Sequence, residues 1–81
     1  MMINEPEYKF IIEIKKGFTV DREGHVIGGE WEVLKDEFGA EKVFDYYFQA
    51  HRELKTIYPD VEFLGDKVGR VKEVEMIRRK Q

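Results

Sequence analysis

From Ala40 to Tyr58 the apolar side chains recur at helical spacing. Val43, Tyr47, Ala50, Leu54 and Ile57 form one stripe, Phe44, Phe48, His51 and Tyr58 widen it, and Glu41, Asp45, Gln49, Arg52 and Glu53 fall opposite. That pattern predicts an amphipathic helix of about five turns, closed by Pro59. A chain of 81 residues makes one domain, and so short a chain buries only about 60–65% of its unfolded surface. The helix face therefore has to supply most of a thin core, at ~1.5–3 kcal/mol per large side chain buried. A core that thin needs very regular elements or a partner subunit.

The rest of the chain reads mainly as strands. Tyr8 to Ile14 alternates, setting Tyr8, Phe10, Ile12 and Ile14 on one face, the period of a half-buried strand. Phe18-Thr19-Val20 resumes it after Gly17, and Asp21-Arg22-Glu23-Gly24 suits a type I turn with glycine at the left-handed position, which predicts a tight hairpin. His25-Val26-Ile27 is the returning strand, ended by Gly28-Gly29. Glu30–Phe38 reads two ways: Trp31 and Val33 alternate as in a strand, but the spacing of Trp31, Leu34 and Phe38, with acidic residues first and Gly39 last, favours a short helix. Val61–Leu64 and Arg70–Arg78 read as strands, although Val71, Val74 and Ile77 also fit a helical spacing. The expected fold is α+β in the order ββααββ: an antiparallel sheet of two hairpins packed against a short and a long amphipathic helix.

Composition excludes much chemistry. With no cysteine and no serine, the chain offers no disulfide, zinc-thiolate, iron–sulfur or serine- or thiol-nucleophile site. Two Thr, one Asn and two Gln stand against 31 charged residues, the balance seen in proteins from hyperthermophiles. That composition in so small a chain suggests a heat-loving host or its mobile element. No apolar run is long enough to span a membrane. The opening Met1-Met2-Ile3-Asn4-Glu5-Pro6 lacks a signal peptide's basic start and apolar stretch, so a cytoplasmic location is expected. An aromatic content of 14% separates the chain from disordered ones despite 38% charged residues.

Several sequence patterns invite a functional reading. Thr19 to Glu30 resembles a calcium-binding EF-hand loop, with Asp21, Glu23, Gly24, Val26 and Glu30 at that loop's third and fifth ligands, glycine, aliphatic residue and final carboxylate. Thr19 stands where the first aspartate belongs, and a hairpin turn explains the same residues, so no metal and no cofactor is expected. His51 has Tyr47, Phe48, Leu54 and Lys55 at its helical neighbours, none a metal ligand. His25 reads as an exposed residue after a turn. An acid–base site around His51 and nearby carboxylates is the third functional reading. Gly24, Gly28 and Gly29 make no phosphate loop. Phe44, Asp45, Tyr46 and Tyr47 are the wrong chemistry for a DNA-recognition helix.

Two features carry the remaining readings. Residues 66–81 hold Lys67, Arg70, Lys72, Arg78, Arg79 and Lys80 against Asp66, Glu73 and Glu75, a local charge of +3 in a chain of net charge −3. Arg70, Lys72, Arg78, Arg79 and Lys80 are therefore the candidate contacts to nucleic-acid phosphates, a reading the overall negative charge opposes. Aromatic residues are dense between Trp31 and Tyr58, more than one face of a small sheet covers, and exposed Tyr and Trp mark interfaces. Trp31, Phe44, Tyr46 and Tyr47 are the candidate interface. The leading expectation is a non-catalytic accessory protein that forms a homodimer and binds another protein through the aromatic helix face or an exposed sheet edge.

Overall fold

Alternation of apolar and polar residues through Phe10–Ile14 builds the centre of the molecule. The computed structural model describes residues 3–80, with side chains over 7–76. Strand β1 (Ile3–Val20) is followed by β2 (Val26–Val33), helix α1 (Tyr47–Ile57), the one-turn helix α2 (Val61–Leu64), a 3-10 turn (Gly65–Lys67) and strand β3 (Gly69–Lys80). The three strands form one antiparallel sheet in the order β2-β1-β3. β1 is long because its two halves pair differently. Residues 3–14 lie against β3, and residues 13–20 lie against β2.

Phe10, Ile12 and Ile14 of β1 face the helix. Ile12, Ala50 and Leu54 are the buried centre, with Phe10, Ile14, Leu34, Phe44, Tyr58, Val61 and Val71 packed around them. Ile11 is also buried, on the opposite face, because successive side chains along a strand alternate. The hairpin turn forms as expected. Asp21 donates its backbone N–H to the His25 carbonyl (3.0 Å), Gly24 donates to the Asp21 carbonyl (3.1 Å), and Gly24 takes φ +85°. No helix among the described residues is long and apolar enough to cross a membrane.

The expected order ββααββ is corrected in three places. Residues 30–38 form no helix: Glu30–Val33 continue β2, with Trp31 opposite Lys15. Gly28 and Gly29, at φ +70° and +91°, bend the strand instead of ending it. A Cβ on Gly29 would stand 3.0 Å from the Lys16 carbonyl oxygen, so only glycine lets β2 pass there. Beyond it, Asp36 Oδ1 accepts the backbone N–H of Phe38 (2.8 Å) and Ala40 (3.0 Å), turning the chain back.

The long helix is shorter than its side-chain stripe. Phe44 exchanges both backbone hydrogen bonds with Phe10 (2.9 and 2.8 Å), and Lys42 donates to the Leu34 carbonyl (2.9 Å). These bonds hold residues 42–44 extended along the edge of β1, so α1 starts only at Tyr47. Phe44 still reaches the core from this extended backbone. Val61–Leu64, expected as a strand, is the helical turn α2. The sheet therefore has three strands, not two hairpins of two.

Candidate functional site

The backbone of β1 decides which groups β3 shows to the outside. Phe10 gives both its N–H and C=O to Phe44, and Ile12 accepts from Leu34 at 2.8 Å, while Lys15 donates toward Val68 on the β3 side at 2.8 Å. Even residues of β1 thus point away from β3, and the odd residues Lys9, Ile11 and Glu13 bond to Val74, Lys72 and Arg70. It follows that Val71, Glu73 and Glu75 turn their N–H and C=O outward. Among the described residues nothing pairs with this edge.

Beside the start of that edge lies a groove of about 650 Å³. One wall is the α1 stripe Tyr47, His51, Leu54 and Lys55, residues that share a helix side by their spacing. The other wall is Gly69, Arg70 and Val71, and Val61, Glu62 and Asp66 close one end. Its charges are mixed, so it selects neither an anion nor a cation. The His51 ring stacks on Tyr47 with centroids 5.7 Å apart. No described carboxylate hydrogen-bonds to it, and Glu62 instead pairs with Lys55 at 3.2 Å.

The start of α1 forms an aromatic corner. Tyr46 and Phe48 stack at 5.7 Å, Tyr47 meets Phe10 edge-on at 5.9 Å, and the Arg52 guanidinium lies 5.9 Å from the Phe48 ring centre. Tyr46, Tyr47 and Phe48 are each more than half exposed (59%, 55% and 57%). The Tyr46 backbone is extended and gives the helix no side-chain cap. Lys9, reaching from β1, pairs with Asp45 beside the corner. That hydrogen bond is the main cause holding the Lys9 ammonium above its ordinary pKa.

The candidate interface residues divide between two faces. Tyr46 and Tyr47 are in the corner, and Phe44 is half-buried next to it, opposite Phe10. Trp31 lies on the other face, since its partner Lys15 is an odd residue of β1. Its ring is covered by Arg70, with the guanidinium carbon 3.9 Å from the centroid, and by Lys15 Nζ at 5.6 Å. Phe48 belongs to the corner and was readable only as part of the helix stripe.

Among the candidate phosphate contacts, Arg70 is engaged by Trp31 and by Glu13, whose Oε1 accepts from Nε at 2.8 Å. Lys72 is exposed on the same sheet face. Arg78, Arg79 and Lys80 lie in β3 opposite Glu5, Asn4 and Ile3, and their side chains lie outside the described ones.

The residues of the EF-hand-like stretch separate. Asp21, Glu23 and His25 gather at the turn with ligand atoms within 4.8 Å of one another, but Glu30 lies along β2 opposite Lys16. Asp21 Oδ1 accepts the backbone N–H of Glu23 (2.9 Å) and His25 (2.8 Å), and Oδ2 lies 3.1 Å from His25 Nδ1. The backbone bond from His25 is the largest cause holding the Asp21 carboxyl below its ordinary range. These bonds are the work of a turn.

Comparison with protein-family models, curated proteins and solved structures finds no match.

Proposed function

We propose that this chain is a non-catalytic accessory protein that works in the cytoplasm by binding another protein through the corner formed by Tyr46, Tyr47 and Phe48. The exposure of those three rings at the start of α1, with Tyr46 and Phe48 stacked on each other, carries the reading. Scattered exposed apolar residues are ordinary, whereas a stacked pair of exposed aromatic rings with a third exposed tyrosine and an arginine nearby has the composition of an interaction hot spot. Tyr and Trp-type surfaces give contact area at low entropic cost because they have few rotatable bonds. Arg52, its guanidinium 5.9 Å from the Phe48 ring centre, stands beside the rings where a partner would meet it.

The test compares the native chain with a Tyr46→Ser/Phe48→Ser double variant, each immobilised and exposed to a lysate of the cells it comes from. A protein retained by the native chain and lost from the variant supports the reading. Equal retention by the two, or retention by neither, overturns it.

The nucleic-acid reading has less behind it, since Arg70 is already occupied by Glu13 and Trp31. Fluorescence anisotropy of labelled DNA and RNA over a salt series tests it, because phosphate contacts weaken steeply as salt rises. We also propose that the charge-rich, amide-poor composition is an adaptation to heat. A thermal midpoint below about 65 °C would place the protein among ordinary mesophile domains and end that proposal.

A further inference from the structure

We propose that the outer edge of β3 docks on β3 of a second copy of this chain, antiparallel about a two-fold axis normal to the sheet. Two three-stranded sheets then become one of six strands. The inference goes beyond the partner reading above and does not depend on it.

Surface area is the first argument. The chain exposes 6357 Å², whereas a compact monomer of 9.7 kDa is expected to expose about 5,100 Å². The surplus of roughly 1,200 Å² exceeds the ~800 Å² that each partner buries in a standard interface. The molecule measures 59 × 23 × 21 Å, with a radius of gyration of 15.5 Å, against about 12 Å for a compact domain of this length.

The three free edges of the sheet are also unlike one another. β2 is bent by Gly28 and Gly29 at positive φ. The outer edge of β1 carries Pro6 and is covered at Phe10 and Ile12 by Phe44 and Leu34. β3 keeps an unbroken register from Gly69 to Lys80, with neither a proline nor a bulge. Proteins blunt an edge that is to stay single, and long regular edges template pairing with another chain.

A two-fold axis makes such an edge its own complement. Opposite residues must share a face, so each register is centred on a residue of the strand. Centring on Glu73 or Glu75 sets that residue against itself, and centring on Val74 sets Glu73 against Glu75. On register and residue charge alone, centring on Ile77 sets Glu75 opposite Arg79 twice and opposes no like charges. Because Glu75 turns its N–H and C=O outward, it supplies main-chain bonds to the second copy.

Sedimentation velocity over a concentration series tests the proposal. The native chain should sediment as a dimer. Glu75→Pro removes an outward N–H while leaving the β1–β3 ladder intact, and edge positions of this kind tolerate proline. It should weaken the dimer by roughly tenfold or more, two hydrogen bonds being lost by symmetry. Glu75→Lys should weaken it as well, and adding Arg79→Glu should restore it. Circular dichroism checks that each variant is folded, and the charge exchange decides the matter if Glu75→Pro is not. A native chain that is monomeric at every concentration overturns the proposal, as does a dimer indifferent to the Glu75 changes. Neither result touches the aromatic-corner reading, which fails only on its own retention experiment.

Discussion

The guanidinium carbon of Arg70 lies 3.9 Å from the centre of the Trp31 ring, so β3 touches β2 across the intervening strand β1. The contact closes over the region where both halves of β1 are paired, Glu13 facing Arg70 on one side and Val33 on the other. A cation over an aromatic face at a partly exposed site contributes about 0.5–1 kcal/mol. Arg70→Ala and Trp31→Leu should each lower stability by about that amount, and the double variant should lose less than the two together. Chemical denaturation of the four proteins measures the coupling. Fully additive losses would mean the stack contributes nothing.

Gly69 begins β3 under the helix. A Cβ there would lie 2.9 Å from Leu54 Cδ1 and 3.5 Å from Val61 Cγ2. Gly69→Ala should therefore force Leu54 from its place and cost about 1–3 kcal/mol, the usual penalty of overpacking. Thermal unfolding reads the loss. A variant as stable as the native chain would show that the helix sits more loosely on the sheet than described.

Leu54 is 2% exposed and belongs to a buried centre of three residues, Ile12 and Ala50 being the others. Leu54→Ala should cost about 2–5 kcal/mol. In a chain this small that is a large share of the total stability. Denaturant titration should show a depressed midpoint, and near-native stability would contradict the assigned core.

Asp21 links the hairpin turn to pH. Backbone hydrogen bonds, the one from His25 foremost, hold its carboxyl below the ordinary value of 3.8. A depressed folded-state pKa contributes stability that is present above the unfolded value and lost as pH falls through the folded one. The native chain should therefore be more stable than Asp21→Asn near neutral pH. The advantage should shrink below about pH 4 as the carboxyl protonates. Thermal midpoints of both proteins across pH check this, and a constant difference would refute it.

Local chemistry made the hairpin turn legible. Asp21 and Gly24 satisfy its backbone groups within five residues, and nothing elsewhere in the chain overrides them. The face of β1 was equally readable, since Phe10, Ile12 and Ile14 alternate. Residues 40–46 misled because the stripe through Val43 and Tyr47 reports side-chain placement and not the backbone that achieves it. The bonds from Phe44 to Phe10 join residues 34 apart, and no local pattern contains them. At Val61–Leu64 four apolar-rich residues are too few to show any period. Trp31 and Val33 did alternate, but Gly28-Gly29 looked like a strand end until the Gly29 crossing at Lys16 showed why the strand continues. The candidate surfaces were less legible than the fold. Tyr46 and Tyr47 could be named, but the open edge of β3 depends on which neighbours β1 takes. The groove is lined by consecutive elements, α1, α2, the 3-10 turn and the start of β3, and it forms only once β3 folds back beside the helix.

The open edge makes its own prediction about amide exchange. Amide hydrogen exchange along β3, followed by NMR at several protein concentrations, tests the occupied edge most directly. The N–H groups of Lys72 and Val74 bond to β1 and should be protected at every concentration. Those of Val71, Glu73 and Glu75 point outward, and in the register centred on Ile77 the N–H of Glu75 should gain protection as concentration rises and the second copy covers it. Rapid exchange of Glu75 at every concentration would mean that the edge meets only water, and would contradict the claim that it is a docking surface.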